Sequence, residues 1–315
     1  MAFEIPKIAY SGAIKETTLG RGDRAVTVGG ETSYPFHLFE GEMPNPPKIA
    51  MEVRDCPPEE WPAAVLEPFE DVADDPVAWA RKCLVEYEAE MLCLHLASID
   101  PNGLDRPADE ATAVVKQVAD AVDVPLMVWG CDNDEKDMEV LRKVAEVCEG
   151  RSLILGPVVE GNYKQIGASA IAYKHTVMAS TPIDINLCKQ LNILMGDLGV
   201  PDAQIIVDPT TGGLGYGLEY TYSVMERIRM AGLTQEDERL QFPLVCNLGR
   251  EVWKVKEVNI SEEEDPKLGD AKKRGVLMEG ATAMTLLLAG ADVLIMRHPE
   301  AVELVRGLIR DLMSN

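Results

Sequence analysis

Positive charge is in short supply in this chain: 30 Lys and Arg stand against 53 Asp and Glu, a net charge of -23 at pH 7. Such a surface repels phosphate backbones and anionic lipid heads, so nucleic acid and membrane are poor partners. Long apolar runs are lacking too. No stretch reaches the roughly 18 residues of a membrane span, and the N-terminus, with Glu4 and Lys7 around Ile5 and Pro6, has no signal-peptide core. These absences set the expectation of a cytoplasmic protein. Paired cysteines are absent as well. Cys56, Cys83, Cys93, Cys131, Cys148, Cys188 and Cys246 are scattered and form no CxxC. They read as small buried hydrophobes, and a self-contained zinc or iron–sulfur site would need ligands from separate loops. Gly-Lys-Ser and Gly-Lys-Thr do not occur, which excludes a phosphate-binding P-loop. His37, His95, His175 and His298 are scattered, and His95 and His175 read as hydrogen-bonded core residues.

What the chain does contain is an alternation. Eight apolar, strand-like runs occur: Ile49 to Val53, Met91 to Leu96, Val124 to Trp129, Leu153 to Leu155, Thr176 to Ala179, Ile205 to Val207, Leu244 to Cys246 and Val293 to Met296. Each is short and continuous, as strands buried on both faces are, and each is followed by a helix-like segment. That order predicts an α/β fold, a (β/α)8 TIM barrel. Helix starts are signalled at Asp75-Pro76, at Thr181-Pro182 with Asp184 as the capping-box acid, and at His298-Pro299. After Thr181, the spacing of Leu187, Leu191, Leu194 and Leu198 predicts one buried stripe.

Two segments fall outside the count. Ile14 to Leu19 and Arg24 to Val28 alternate among glycines and read as β-hairpins at the barrel bottom, so residues 1–47 are expected to be an N-terminal extension packed on a barrel of residues 48–315. The stretch Gly249 to Gly269, with Glu262 to Asp265 in a row, is long for a βα connection and reads as a lid, a docking arm or a solvated excursion.

Barrels of this class carry function at the C-terminal strand ends. Reading round that rim yields Arg54 and Asp55, Ser98 and Asp100, Cys131 and Asp132, Ser180 and Thr181, Arg250, Arg297 and His298, a polar set sparse in reactive groups. No Lys ends a strand, which weakens Schiff-base chemistry, and no catalytic or metal-ligating set is apparent. Asp208-Pro209-Thr210-Thr211-Gly212-Gly213-Leu214-Gly215-Tyr216-Gly217 is the most distinctive loop. Its glycines alternate in a way that is not a dinucleotide fingerprint, and they permit a tight turn with N–H groups facing a ligand. Asn102, Asp208, Thr210, Thr211 and Asn247 are the candidate binding residues, offering donors and acceptors at the mouth; loop capping is the competing explanation for each.

The preface Val26-Thr27-Val28-Gly29-Gly30-Glu31-Thr32, then Tyr34-Pro35-Phe36-His37, Phe39-Glu40-Gly41 and Pro44-Asn45-Pro46-Pro47, resembles the small subunit of the corrinoid iron–sulfur protein. That family includes the delta subunit of the acetyl-CoA decarbonylase/synthase complex, and the resemblance runs through Asp208-Pro209-Thr210-Thr211-Gly212 to the final helix. It implies a non-catalytic subunit of a heterodimeric, anaerobic methyl carrier in the reductive acetyl-CoA (Wood–Ljungdahl) pathway. A larger partner would hold a [4Fe–4S] cluster and most of the corrinoid (cobamide). Its cobalt would take a methyl group from methyltetrahydrofolate through a separate methyltransferase and deliver it to acetyl-CoA synthase/CO dehydrogenase. The barrel rim would cover the corrinoid, and the outer helices would face the partner. Trp79, Trp129, Trp253 and Tyr220 are the aromatics to inspect for exposure at such a surface. The alternative is a pterin-binding barrel methyltransferase acting on methyltetrahydrofolate, since such barrels also end a strand in Asp followed by Pro and glycines.

Overall fold

In a computed structural model, which describes residues 5–314, all eight expected runs are strands. A short antiparallel pair comes first, β1 (Thr17–Leu19) and β2 (Val26–Val28). The barrel strands are β3 (Lys48–Arg54), β4 (Met91–His95), β5 (Leu126–Trp129), β6 (Ile154–Val158), β7 (Thr176–Ser180), β8 (Ile205–Asp208), β9 (Val245–Asn247) and β10 (Val293–Met296). Every neighbouring pair is parallel, β10 returns to pair with β3, and a parallel bridge between Val207 and Leu244 joins β8 to β9 and closes the ring.

The helices between strands are α1 (Ala63–Leu66), α2 (Pro76–Val85), α3 (Ala108–Ala121), α4 (Asp134–Val147), α5 (Tyr163–Tyr173), α6 (Ile185–Leu198), α7 (Leu218–Thr234), α8 (Leu248–Trp253), α9 (Lys256–Asn259), α10 (Ala271–Leu288) and α11 (Pro299–Met313). Two start signals act as the sequence predicts. Asp75 accepts from the N–H groups of Val77 and Ala78 ahead of Pro76, and His298 Nδ1 accepts from Glu300 N ahead of Pro299. At the third the cap is Asp184, which accepts from Asn186 N and Leu187 N, so Thr181 and Pro182 belong to the preceding loop. The leucine stripe is rotated as well. Cys188, Leu191, Asn192 and Met195 form the buried face of α6, while Leu187 is 39% exposed. Asn192 on that face donates from Nδ2 to Arg239 O at 2.8 Å, a tertiary bond that the leucine spacing does not anticipate.

Alternation along the strands divides the core in two. One set, including Ile49, Met51, Val53, Leu92 and Leu94, packs against the helices; the other, including Ala50, Met91, Cys93, Met127, Ile154, Met178, Ile206, Val245, Val293 and Ile295, fills the barrel. Leu19 and Val28 from the hairpin belong to the inner set and are 0% and 1% exposed. The preface therefore supplies one hairpin that plugs the N-terminal end of the barrel. It is tied down by Lys15 N donating to Gln241 O at 2.8 Å and Gly12 N to Leu233 O at 2.8 Å. Beside it, Arg229 is 1% exposed and donates to Gly290 O, Phe242 O and the Asp292 carboxylate. Burial, with Asp292 close by, pushes the Glu31 carboxyl well above its ordinary range.

The long stretch after β9 is not a loose lid. It forms α8 and α9, and Trp253, Val252, Val255 and Val258 are buried. Gly275 of α10 makes room for the indole, since a Cβ there would lie 2.3 Å from Trp253 Cζ3. Of the acidic run, Glu262, Glu263 and Glu264 are exposed and Asp265 is half-buried. Trp79 and Trp129 are buried like Trp253, and Tyr220 is 65% exposed.

Candidate functional site

The inward phase of each strand continues past the apolar layers into a polar top layer. Two residues beyond Ala50 comes Glu52 and two more brings Arg54; two beyond Cys93 comes His95; two beyond Met178, Ile206, Val245 and Ile295 come Ser180, Asp208, Asn247 and Arg297. Period-two geometry alone thus aims these side chains at the C-terminal mouth. They separate into two halves.

The first half lies over β3, β4 and β10. Glu52 is 0% exposed; it accepts from Arg297 Nε at 2.7 Å and Nη2 at 3.0 Å, and its Oε1 lies 3.1 Å from His95 Nδ1. Burial alone would raise the Glu52 carboxyl, but Arg297 and His95 override it and hold the group well below the usual carboxylate range. Burial lowers His95, and the nearby Arg54 and Arg250 add to that against the pull of Glu52, so the imidazole favours its neutral form. Arg297 lies 4.4 Å over the ring of Trp61. Above this layer is a cavity of about 370 Å³ lined by Arg54, Trp61, His95, Asp100, Cys131, Arg250 and Trp253, among others. Its floor is braced by Glu279 of α10, which accepts from Trp253 Nε1 at 2.8 Å, Arg297 N at 2.6 Å and His298 N at 3.1 Å. Burial outweighs those bonds and pushes Glu279 up to about 7.

The second half lies at β7, β8 and β9. Asp208 accepts from Ser180 Oγ at 2.6 Å and Thr210 N at 3.0 Å, and burial pushes its carboxyl up to about 6 despite both bonds. Thr210 takes a left-handed backbone at φ 62° and donates its hydroxyl to Thr181 O at 2.8 Å. Asn247 Oδ1 is buried without a partner among the described residues. The buried hydroxyls of Thr211 and Thr181 have only the thiols of Cys246 and Cys188 for company, which are weak partners.

Of the five residues singled out from the sequence, the structure gathers Asp208, Thr210, Thr211 and Asn247 at two adjacent strand ends. Asn102 is elsewhere. It follows β4, across the barrel, in an exposed turn where its N–H and Nδ2 both donate to Asp100 Oδ1, at 2.9 and 3.3 Å. Glu52, Trp61 and Glu279 are missing from the sequence reading. Glu52 sits inside an apolar run, and an acid in such a run demands a cationic partner, which is the signal that points to Arg297. Burial pushes all seven thiols up, and among the described residues no group of three or more His, Cys, Asp or Glu is placed to hold a metal ion. None of the described helices is long and apolar enough to cross a membrane.

Comparison with known proteins adds a family to this geometry. Residues 16–310 match the family described as the CO dehydrogenase/acetyl-CoA synthase delta subunit. The acetyl-CoA decarbonylase/synthase complex subunit delta of Archaeoglobus fulgidus is 40% identical over 324 residues, covering 98% of this chain and 71% of that protein. Its counterpart in Methanopyrus kandleri is 39% identical over 287 residues, covering 91% and 70%. Among solved structures, dihydropteroate synthase of Xanthomonas albilineans aligns with a TM-score of 0.59 at 14% identity, over 95% of this chain and 98% of that one. The 7,8-dihydropteroate synthase of Vibrio fischeri gives 0.59 at 13%, over 88% and 96%. At that identity the likeness is one of fold.

Proposed function

This chain belongs to the CO dehydrogenase/acetyl-CoA synthase delta subunit family, and from that premise we propose that it is the barrel subunit of a corrinoid iron–sulfur methyl carrier, a heterodimer with a larger cluster-bearing partner. The match across residues 16–310 carries the reading. On it, methyltetrahydrofolate methyltransferase and acetyl-CoA synthase/CO dehydrogenase are the successive partners of the assembly, which works in the cytoplasm. A bound corrinoid supplies the cobalt that accepts and gives up a methyl group.

This chain's share is to cover that group. The mouth cavity has the volume of a small-ligand pocket, so a wide corrin ring would lie across the rim and be held mainly by the partner. The rim residues fit a ring edged by amides. Asn247 Oδ1 has no partner among the described residues and would accept an amide N–H; Thr211 offers a hydroxyl now left to a thiol; Asp208 receives from Ser180 and Thr210 and keeps that corner rigid. Asn102 stands on the opposite wall. The apolar layers below the mouth, sealed by Leu19 and Val28, exclude water from beneath.

Purifying the chain alone and with its larger partner, and recording visible spectra, tests the reading. A colourless lone chain and a 1:1 pair carrying corrinoid and cluster bands is the expected result, with Asn247→Ala shifting the corrinoid band. A lone chain that ignores the partner overturns it.

One observation favours a second reading. A carboxyl near its midpoint at pH 6 beside an orphaned amide, Asp208 with Asn247, is a pair able to grip the donor–acceptor edge of a heterocycle. In that case the chain is itself a pterin-binding methyltransferase, and calorimetry of the lone chain with methyltetrahydrofolate shows tight binding that Asp208→Ala abolishes.

A further inference from the structure

The cation-rich half of the mouth is at odds with the rest of the chain. Overall, acids outnumber Lys and Arg by 53 to 30, yet the cavity lining carries Arg54, Arg250, Lys254 and Arg297 against Glu60 and Asp100. Arg54 is the anomaly within it. The residue is 6% exposed, its ion pair runs to Glu60, whose side chain is 62% exposed, and its buried Nε–H has no partner among the described residues. Burying a guanidinium with a donor unsaturated is costly, and such a group is kept where a ligand completes it. The neighbouring arginines are set for the same purpose. Glu52 engages Nε and Nη2 of Arg297 and leaves Nη1 without a bond among the described residues, while the Trp61 ring centroid lies 4.4 Å from the guanidinium carbon. Arg250 bonds Asp132 through Nη1 alone. Arg54, Arg250 and Arg297 line one cavity together with His95, so the three side chains share one space.

The geometry points to an oxyanion-binding subsite in the barrel mouth, formed by Arg54, Arg250 and Arg297, whose ligand is a carboxylate or phosphate group on a small molecule. A guanidinium presents paired N–H donors that match two oxygens of such a group, and a cavity of about 370 Å³ accommodates the rest of a small ligand. The subsite goes beyond the corrinoid cover and does not depend on it, so the two fail separately.

The experiment is equilibrium dialysis of the full chain, without partner or corrinoid, against radiolabelled inorganic phosphate and, in a second arm, radiolabelled acetate, at low chloride. Saturable binding is expected, weakened about tenfold or more in Arg54→Gln and unchanged in Arg151→Gln at the opposite end of the barrel. Saturation by phosphate alone identifies a phosphate ligand, by acetate alone a carboxylate, and by both a general oxyanion site. If neither anion saturates, or Arg54→Gln binds like the wild type, the subsite does not exist. Should circular dichroism show that Arg54→Gln does not fold, Arg250→Gln, whose parent side chain is 34% exposed, is judged by the same criterion.

Discussion

Two arginines buried to nearly the same depth lie at opposite ends of this barrel, and the fold treats them in opposite ways. Arg229, beside the plug, is 1% exposed and gives its N–H groups to Gly290 O, Phe242 O and Asp292. Arg54, at the mouth, is 6% exposed and has one bond, to the solvated Glu60. The N-terminal end saturates the guanidinium of Arg229 with protein acceptors, although Glu31 Oε2 and Thr17 Oγ1 there are buried without partners among the described residues. The C-terminal end leaves the guanidinium of Arg54 short of acceptors, with Thr181, Thr211 and Asn247 also buried without hydrogen-bond partners among the described residues. The contrast matches the division of labour known for barrels of this kind, stability below and function above.

The contrast breaks if Arg229 proves dispensable. Arg229→Met strands Asp292 and Glu31 as neighbouring buried acids, and unfolding in denaturant should show a loss of about 3–5 kcal/mol. Next in size is the plug. Leu19→Ala empties a site that is 0% exposed inside the barrel and should cost roughly 3 kcal/mol in the same assay.

A pH series sharpens the view of the mouth. The Asp208 carboxyl is raised from its ordinary value to about 6, so the folded state binds the extra proton between about pH 4 and 6. Stability from this group is therefore present below that window and lost as pH rises through it. Asp208→Asn removes the dependence, and the gap between variant and wild type should move by no more than about 3 kcal/mol in the variant's favour from pH 4 to pH 7. The smallest effect is the most telling. Arg54→Met should change stability by less than about 1 kcal/mol, because the replacement keeps the packing on Trp61 and discards one ion pair whose acid, Glu60, is solvated. A loss as large as that at Arg229 would place Arg54 with the scaffold.

Much of this architecture is legible in the residue order. Continuous apolar runs mark strands buried on both faces, and Asp75 and His298 mark helix starts that their own chemistry dictates. The α6 start is displaced because two residues with cap and first-turn preferences, Thr181 and Pro182, precede a stronger cap, Asp184, and tertiary packing decides between them. The leucines of α6 mislead for a related reason: their spacing is helical, but the face toward the barrel carries Asn192, whose tertiary bond to Arg239 O that spacing does not anticipate. At the mouth, Asp208 and Asn247 are readable from strand-end position alone. Glu52 and Glu279 are hidden in apolar surroundings, since the Arg297 partner of Glu52 comes from 245 residues away, and the partners of Glu279 come from the end of the following strand and from α8, 26 residues earlier. An acid inside an apolar run signals that a partner is needed, but at that range nothing local says which residue supplies it.

The plug has a bearing on how the chain reaches its fold. Leu19 and Val28 precede the barrel in the sequence, yet their resting place is bounded by the first residues of β9 and β10, and the backbone of residue 15 is fastened to Gln241. During synthesis the hairpin emerges early and stays without its binding cavity until more than 200 further residues have been made. The barrel's bottom is thus closed by the segment that has waited longest, and a pause in translation before β9 leaves Leu19 and Val28 without the strands that bury them.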